Sequence, residues 1–143
     1  MPETSETTTF TRPPQEVFDR VADFGRLDEW DPMFTHAEQV DDGPIGVGTR
    51  FHTVGSAAGS DFELTLQVVA YDAPRHIALE GTGDGLSTRE EITVEPHDDG
   101  CEVTYWSRFE TDKPDLVDAM AKPAFLVVGK RAISGMRDWL GED

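Results

Sequence analysis

Between residues 60 and 109, apolar and polar side chains alternate along most of the chain. Phe62, Leu64, Leu66 and Val68 share one parity, and Glu63, Thr65 and Gln67 share the other. Ile77 and Leu79 repeat the pattern, Ile92 and Val94 stand against Thr93 and Glu95, and Val103, Tyr105 and Phe109 come last. A period of two with one greasy parity marks strands that are covered on one face and wet on the other. Glycine, aspartate and proline clusters punctuate the pattern at 41–44, 55–59, 72–74, 83–85 and 97–100. The strands predicted between them run over about 34–41, 48–55, 60–72, 75–82, 86–96 and 101–111. Connections this short give hairpins, and so an antiparallel meander.

Both ends of the chain follow other rules. Residues 4–11 are rich in threonine and read as a further strand, which Pro13-Pro14 stops. Val17, Phe18, Val21 and Phe24 then recur at helical spacing until Gly25, and a second short helical turn from Leu27 to Trp30 closes at Asp31-Pro32. From about Asp115 to Leu140 the period is helical again, with Phe125, Ile133, Met136 and Leu140 on one side and Leu116 and Met120 ahead of them. Pro123 falls inside this stretch. It predicts either a kink, or a short helix to about Lys122 followed by a long one beginning at Pro123. The expectation is an α+β fold in which a curved antiparallel sheet of about seven strands wraps a long C-terminal helix. No repeat or linker divides the chain, so residues 1–143 are expected to form one domain.

Composition narrows the function classes. Twenty-nine acidic residues face 12 basic ones, for a formal net charge of −17. Such a field repels nucleic-acid backbones and anionic membrane surfaces, and neither is an expected partner. The acids are dispersed among hydrophobic segments, unlike a disordered acidic tail. With lysine scarce as well, the balance suits a salt-rich interior that screens self-repulsion. Thermal melts from low to molar potassium chloride should therefore show rising stability, and a flat response would refute the adaptation. A lone cysteine, Cys101, and a polar, acidic start without a signal peptide point to the cytoplasm.

Several motifs carry a resemblance. The run Pro-Pro-Gln-Glu-Val-Phe-Asp-Arg-Val-Ala-Asp-Phe over 13–24, followed by Glu29-Trp30-Asp31-Pro32, resembles the opening of the START-like, helix-grip superfamily. Gly43 to Phe51, Val69 to Arg75 and Gly100 to Tyr105 resemble segments of its polyketide cyclase/dehydrase and lipid-transport family. The resemblance spans nearly the whole chain. It implies the helix-grip fold and a small hydrophobic ligand, lipid-like or polyketide-like, bound in an internal cavity without a cofactor. A cofactor-free cyclase or dehydratase is the alternative, because members of the superfamily share no universal catalytic residue and fold alone does not choose between them.

Familiar catalytic patterns are missing. Gly43, Gly46 and Gly48 have the wrong order for a dinucleotide fingerprint, and no nucleophile elbow occurs. His36, His52, His76 and His97 stand far apart in sequence, so no metal site is expected. The cavity-lining candidates are Trp30, Phe51, Phe62, Leu64 and Leu66, together with Leu79, Ile92, Tyr105, Met120 and Phe125. Each can equally be plain core.

Glu90, Tyr105 and Ser107 are polar residues on the apolar parity. A buried carboxylate is expensive, so Glu90 either reaches water near a strand end or has a chemical use as an acid or base. Tyr105 is a candidate hydrogen-bond donor to a ligand carbonyl. His52 is a third catalytic candidate, unless Phe51 faces inward and turns it out. Trp106 falls on the wet parity. It is a tolerated exposed aromatic, the sign of a shifted register, or a face through which two copies form a homodimer.

Overall fold

The structure is a computed structural model, which describes residues 3–57 and 59–142. The first strand, β1, covers Glu3–Phe10 and is followed by helix α1 (Pro14–Val21) and a 3-10 turn over Phe24–Glu29. Six more strands follow: β2 (Phe34–Gln39), β3 (Arg50–Ala57), β4 (Ser60–Asp72), β5 (His76–Gly83), β6 (Leu86–His97) and β7 (Gly100–Thr111). Helix α2 (Pro114–Ala121), a 3-10 turn over Pro123–Val127 and helix α3 (Val128–Leu140) complete the chain. Among the described residues, no helix is long and apolar enough to cross a membrane.

All seven strands join one antiparallel sheet in the order β1-β7-β6-β5-β4-β3-β2. The expected meander is present, and β1 closes it by pairing with β7 from Glu3↔Arg108 to Phe10↔Cys101. The tail differs in detail from its expectation. Lys122 is extended, Pro123 opens a 3-10 turn, and the α-helix proper begins only at Val128. Proline disfavours helical backbone in the residue before it and has no amide N–H to donate to the preceding turn, which divides the segment at this point.

The concave face of the sheet carries the predicted apolar parity. Phe51, Leu64, Leu66, Ile77, Leu79, Ile92, Val94 and Val103 are all at most 1% exposed. Helix α1 adds Val17, Phe18 and Val21, and α3 adds Ala132, Ile133, Met136 and Leu140. Burying each of these larger side chains contributes about 1.5–3 kcal/mol, which is why the parity survives so cleanly.

Register shifts interrupt the parity in two places. Between β2 and β3 the register shifts between Phe34 and His36, so Phe34 faces the core while His36, two residues on, faces out. A second shift lies between Val68 and Ala70 on β4. No shift occurs between β6 and β7, where pairing is continuous from Leu86↔Thr111 to His97↔Gly100. Trp106 therefore does lie on the outer parity. Its indole Nε1 donates to Glu3 Oε1 at 2.9 Å, and the Arg108 guanidinium sits 5.7 Å from its ring.

Candidate functional site

Beneath α3, a small group of polar side chains interrupts the apolar concave face. Glu90 on β6 stands opposite Ser107 on β7, and Tyr105 is two residues along from Ser107 on the same face. That diagonal spacing lets the phenol reach across the strands. The Tyr105 hydroxyl donates to Glu90 Oε1 at 2.5 Å. Glu90 is only 2% exposed, which excludes the reading in which it reaches water near a strand end. It lies in the middle of β6, roofed by the tail helix.

A second carboxyl joins from outside the sheet. Asp31 follows the 3-10 turn and is 4% exposed, with Oδ1 accepting the Met33 amide at 3.0 Å. Trp30, beside it in sequence, packs edge-on against Tyr105 with ring centroids 5.5 Å apart, and Phe125 packs edge-on against Phe109 at 5.2 Å. The hydrogen bonds in this pocket are incomplete. Among the described residues, Glu90 Oε2, Trp30 Nε1 and, two positions before Glu90 on β6, Thr88 Oγ1 are buried without a hydrogen-bond partner. An unpaired buried polar atom costs about 1–3 kcal/mol, so three of them are expensive in a domain this small.

Burial sets the electrostatics. It pushes the Glu90 carboxyl up to about 7, against the Tyr105 hydrogen bond, which favours the charged form. Burial likewise pushes Asp31 up to about 7, opposed by the Met33 amide and reinforced by the nearby charge of Glu90. Two carboxyls that share one dry pocket resist ionising together. Tyr105 is raised well above its ordinary range, first by burial and then by the two carboxylates, and stays a neutral donor. The pocket therefore holds a fixed phenol donor and two acids able to exchange protons near neutral pH.

The hollow at this cluster is lined by the polar residues Thr4, Asp31, Glu90, Tyr105 and Ser107, and by Met33, Phe34, Phe109, Val128, Gly129 and Ala132. Its volume is about 10 Å³. That is roughly one water molecule's room.

Of the ten lining candidates, Tyr105 borders this hollow, and the other nine are buried in the common core. Of the three catalytic candidates, the fold brings Glu90 and Tyr105 together and separates them from His52. Phe51 faces inward, so His52 lies on the outer face beside Glu38 and Glu63. Cys101 is buried, and burial, helped by Glu142, pushes its thiol up to about 11, far from a reactive thiolate.

Asp31 was not among the sequence candidates. It sits in an irregular segment where neither a two-residue nor a 3.6-residue period applies, so parity could not flag it. The only local signal is its place between Trp30 and Pro32, which reads equally as a turn.

Solved structures share this architecture. TTHA0849 from Thermus thermophilus superposes with a TM-score of 0.79 at 17% identity, covering 97% of each chain. A START superfamily protein from Mycobacterium smegmatis gives 0.72 at 13% identity, over 96% of this chain and 93% of that one. CV1439 from Chromobacterium violaceum gives 0.69 at 14% identity, over 99% and 98%. Likeness at such identities establishes the helix-grip fold of START-like proteins. No curated protein matches the chain by sequence. The family model described as polyketide cyclase / dehydrase and lipid transport matches residues 1–139, and the chain belongs to that family.

Proposed function

We propose that this protein binds a small, mostly apolar molecule between its sheet and its C-terminal helical segment, holding one polar group of that molecule against Glu90 and Tyr105. The observation that carries the reading is the orphaned Oε2 of Glu90, buried beside a hollow that Met33, Phe34, Phe109, Val128 and Ala132 also line. A ligand hydroxyl or amine would donate to that oxygen and remove its cost. Burying about ten methylenes contributes roughly 8 kcal/mol, of which association takes back several. Low-affinity binding then needs no catalytic group and no cofactor. A hollow this small must widen to admit such a molecule.

Dodecanol and dodecane, each used to displace Nile red from the purified protein, test the reading. At about pH 8, where Glu90 with its transition near 7 is mostly ionised, dodecanol should compete better, and Glu90→Gln should weaken it by about tenfold while changing dodecane little, the worth of one hydrogen bond to a charged group. Equal competition by the two in both proteins would overturn the assigned polar contact. Failure of either to displace the dye, with no apolar molecule co-purifying in native mass spectra, would overturn the binding role itself.

A second reading, a cofactor-free cyclase or dehydratase, draws support from the two carboxyls raised to about 7. One could take a proton from carbon as a carboxylate, while the other, protonated, gives its proton to the departing hydroxyl, so that water leaves as the double bond forms.

A further inference from the structure

On the opposite face of the sheet, far along the chain from one another, two of the four histidines come together. His36 and Glu38 lie on β2, and His52 lies opposite Glu38 on β3. The histidine rings are 5.9 Å apart between centroids. Glu38 Oε1 is 3.6 Å from His36 Nε2 and 3.6 Å from His52 Nδ1. One ligand atom from each residue fits within 4.8 Å of the other two. The register shift at Thr35 makes this possible, because unbroken alternation from the core residue Phe34 would have turned His36 inward.

We infer that His36, Glu38 and His52 form a binding site for a borderline divalent cation of the zinc class. The distances decide between this and an ordinary surface ion pair. At 3.6 Å the carboxylate is too far from either ring for a hydrogen bond. Around a tetrahedral zinc, with bonds of about 2.0–2.1 Å, neighbouring ligand atoms stand about 3.4 Å apart, so each carboxylate–imidazole separation needs to close by only a few tenths of an ångström. Two imidazoles and a carboxylate suit zinc, copper or nickel and disfavour calcium and magnesium, which take oxygen ligands.

A fourth residue fits a supporting role. With Nδ1 of His52 turned to the metal, its Nε2 faces Glu63 Oε1 on β4 at 3.9 Å. A carboxylate behind the second ring nitrogen orients a metal-bound histidine and makes it a better ligand. All four side chains are open enough for an ion to reach them, with Glu38 and Glu63 59% and 66% exposed and His36 and His52 50% and 34%. The strong negative charge of the chain draws cations toward this face.

Calorimetric titration of chelator-stripped protein with zinc chloride at about pH 8 tests the site. The expected result is one zinc per chain with micromolar affinity, weakened about tenfold or more by His36→Ala and by His52→Ala, and unaffected by His97→Ala. Glu63→Gln should weaken binding less than loss of either histidine, and millimolar magnesium should not compete. Far-UV circular dichroism checks that these surface variants remain folded. Zinc binding that survives both histidine changes, no binding at all, or one zinc per two chains would each overturn the assignment.

Discussion

Gly135→Ala should destabilise the protein by about 3 kcal/mol, although alanine is the better helix former by about 1 kcal/mol. Gly135 lies within α3, where the helix crosses the backbone of Trp30. A Cβ there would overlap the Trp30 carbonyl oxygen and stand 3.1 Å from its carbonyl carbon. Backbone cannot rotate aside as a long side chain can, so α3 or the Trp30-Asp31 segment must shift. Either movement loosens Trp30 from Tyr105 and carries Asp31 away from Glu90. Urea unfolding measures the loss, and near-ultraviolet circular dichroism reports the disturbed tryptophan and tyrosine. A variant as stable as the parent, or more so, would mean that propensity outweighs the close approach and that the helix does not sit as described.

The second large effect is a dependence of stability on pH that runs opposite to the usual carboxylate case. The folded state raises Glu90 from 4.5 to about 7, so it holds this proton more tightly than the unfolded chain does. The stabilisation is complete below about pH 4.5 and is lost as pH rises to about 7, since the unfolded chain ionises first and freely. At about 1.4 kcal/mol per pH unit, the contribution is on the order of 3 kcal/mol. Glu90→Gln stays neutral throughout and keeps an oxygen for the Tyr105 hydroxyl. Relative to the parent, it should therefore gain stability steadily from about pH 5 to about pH 7 and then level off.

Asp31 titrates in the same direction, so the variant keeps part of the slope, reduced because the Glu90 charge that helps to raise Asp31 is gone. Tyr105→Phe removes a hydrogen bond that favours the charged form of Glu90, and should move the same transition to higher pH. Urea midpoints at fixed molar salt, which holds the general charge repulsion constant, provide the measurement. A constant difference between parent and Glu90→Gln across this range would show that the carboxyl is not dry.

Much of this architecture could be read from residue order because burial repeats with the geometry of each element. The parity of β4 to β7, the helical spacing of α1 and the tail, and the turn clusters between strands each encode a local rule that the fold obeys. Glu90 and Tyr105 stood out for the same reason, as polar residues on a greasy parity. What parity could not resolve was whether Glu90 lay at a wet strand end or under a roof. The roof comes from α3, separated from it by a long stretch of chain.

Tertiary structure alone decided the rest. Asp31 reaches Glu90 and Tyr105 from an irregular turn that has no period to betray it. Ionisation follows from how completely three elements exclude water, a property of their packing together. His36 and His52 meet because one extra residue in β2 reverses its facing, and a bulge of that kind leaves no mark in hydrophobic alternation. Local repetition thus specifies the elements and their buried faces, whereas the chemistry depends on where irregular residues from distant elements converge.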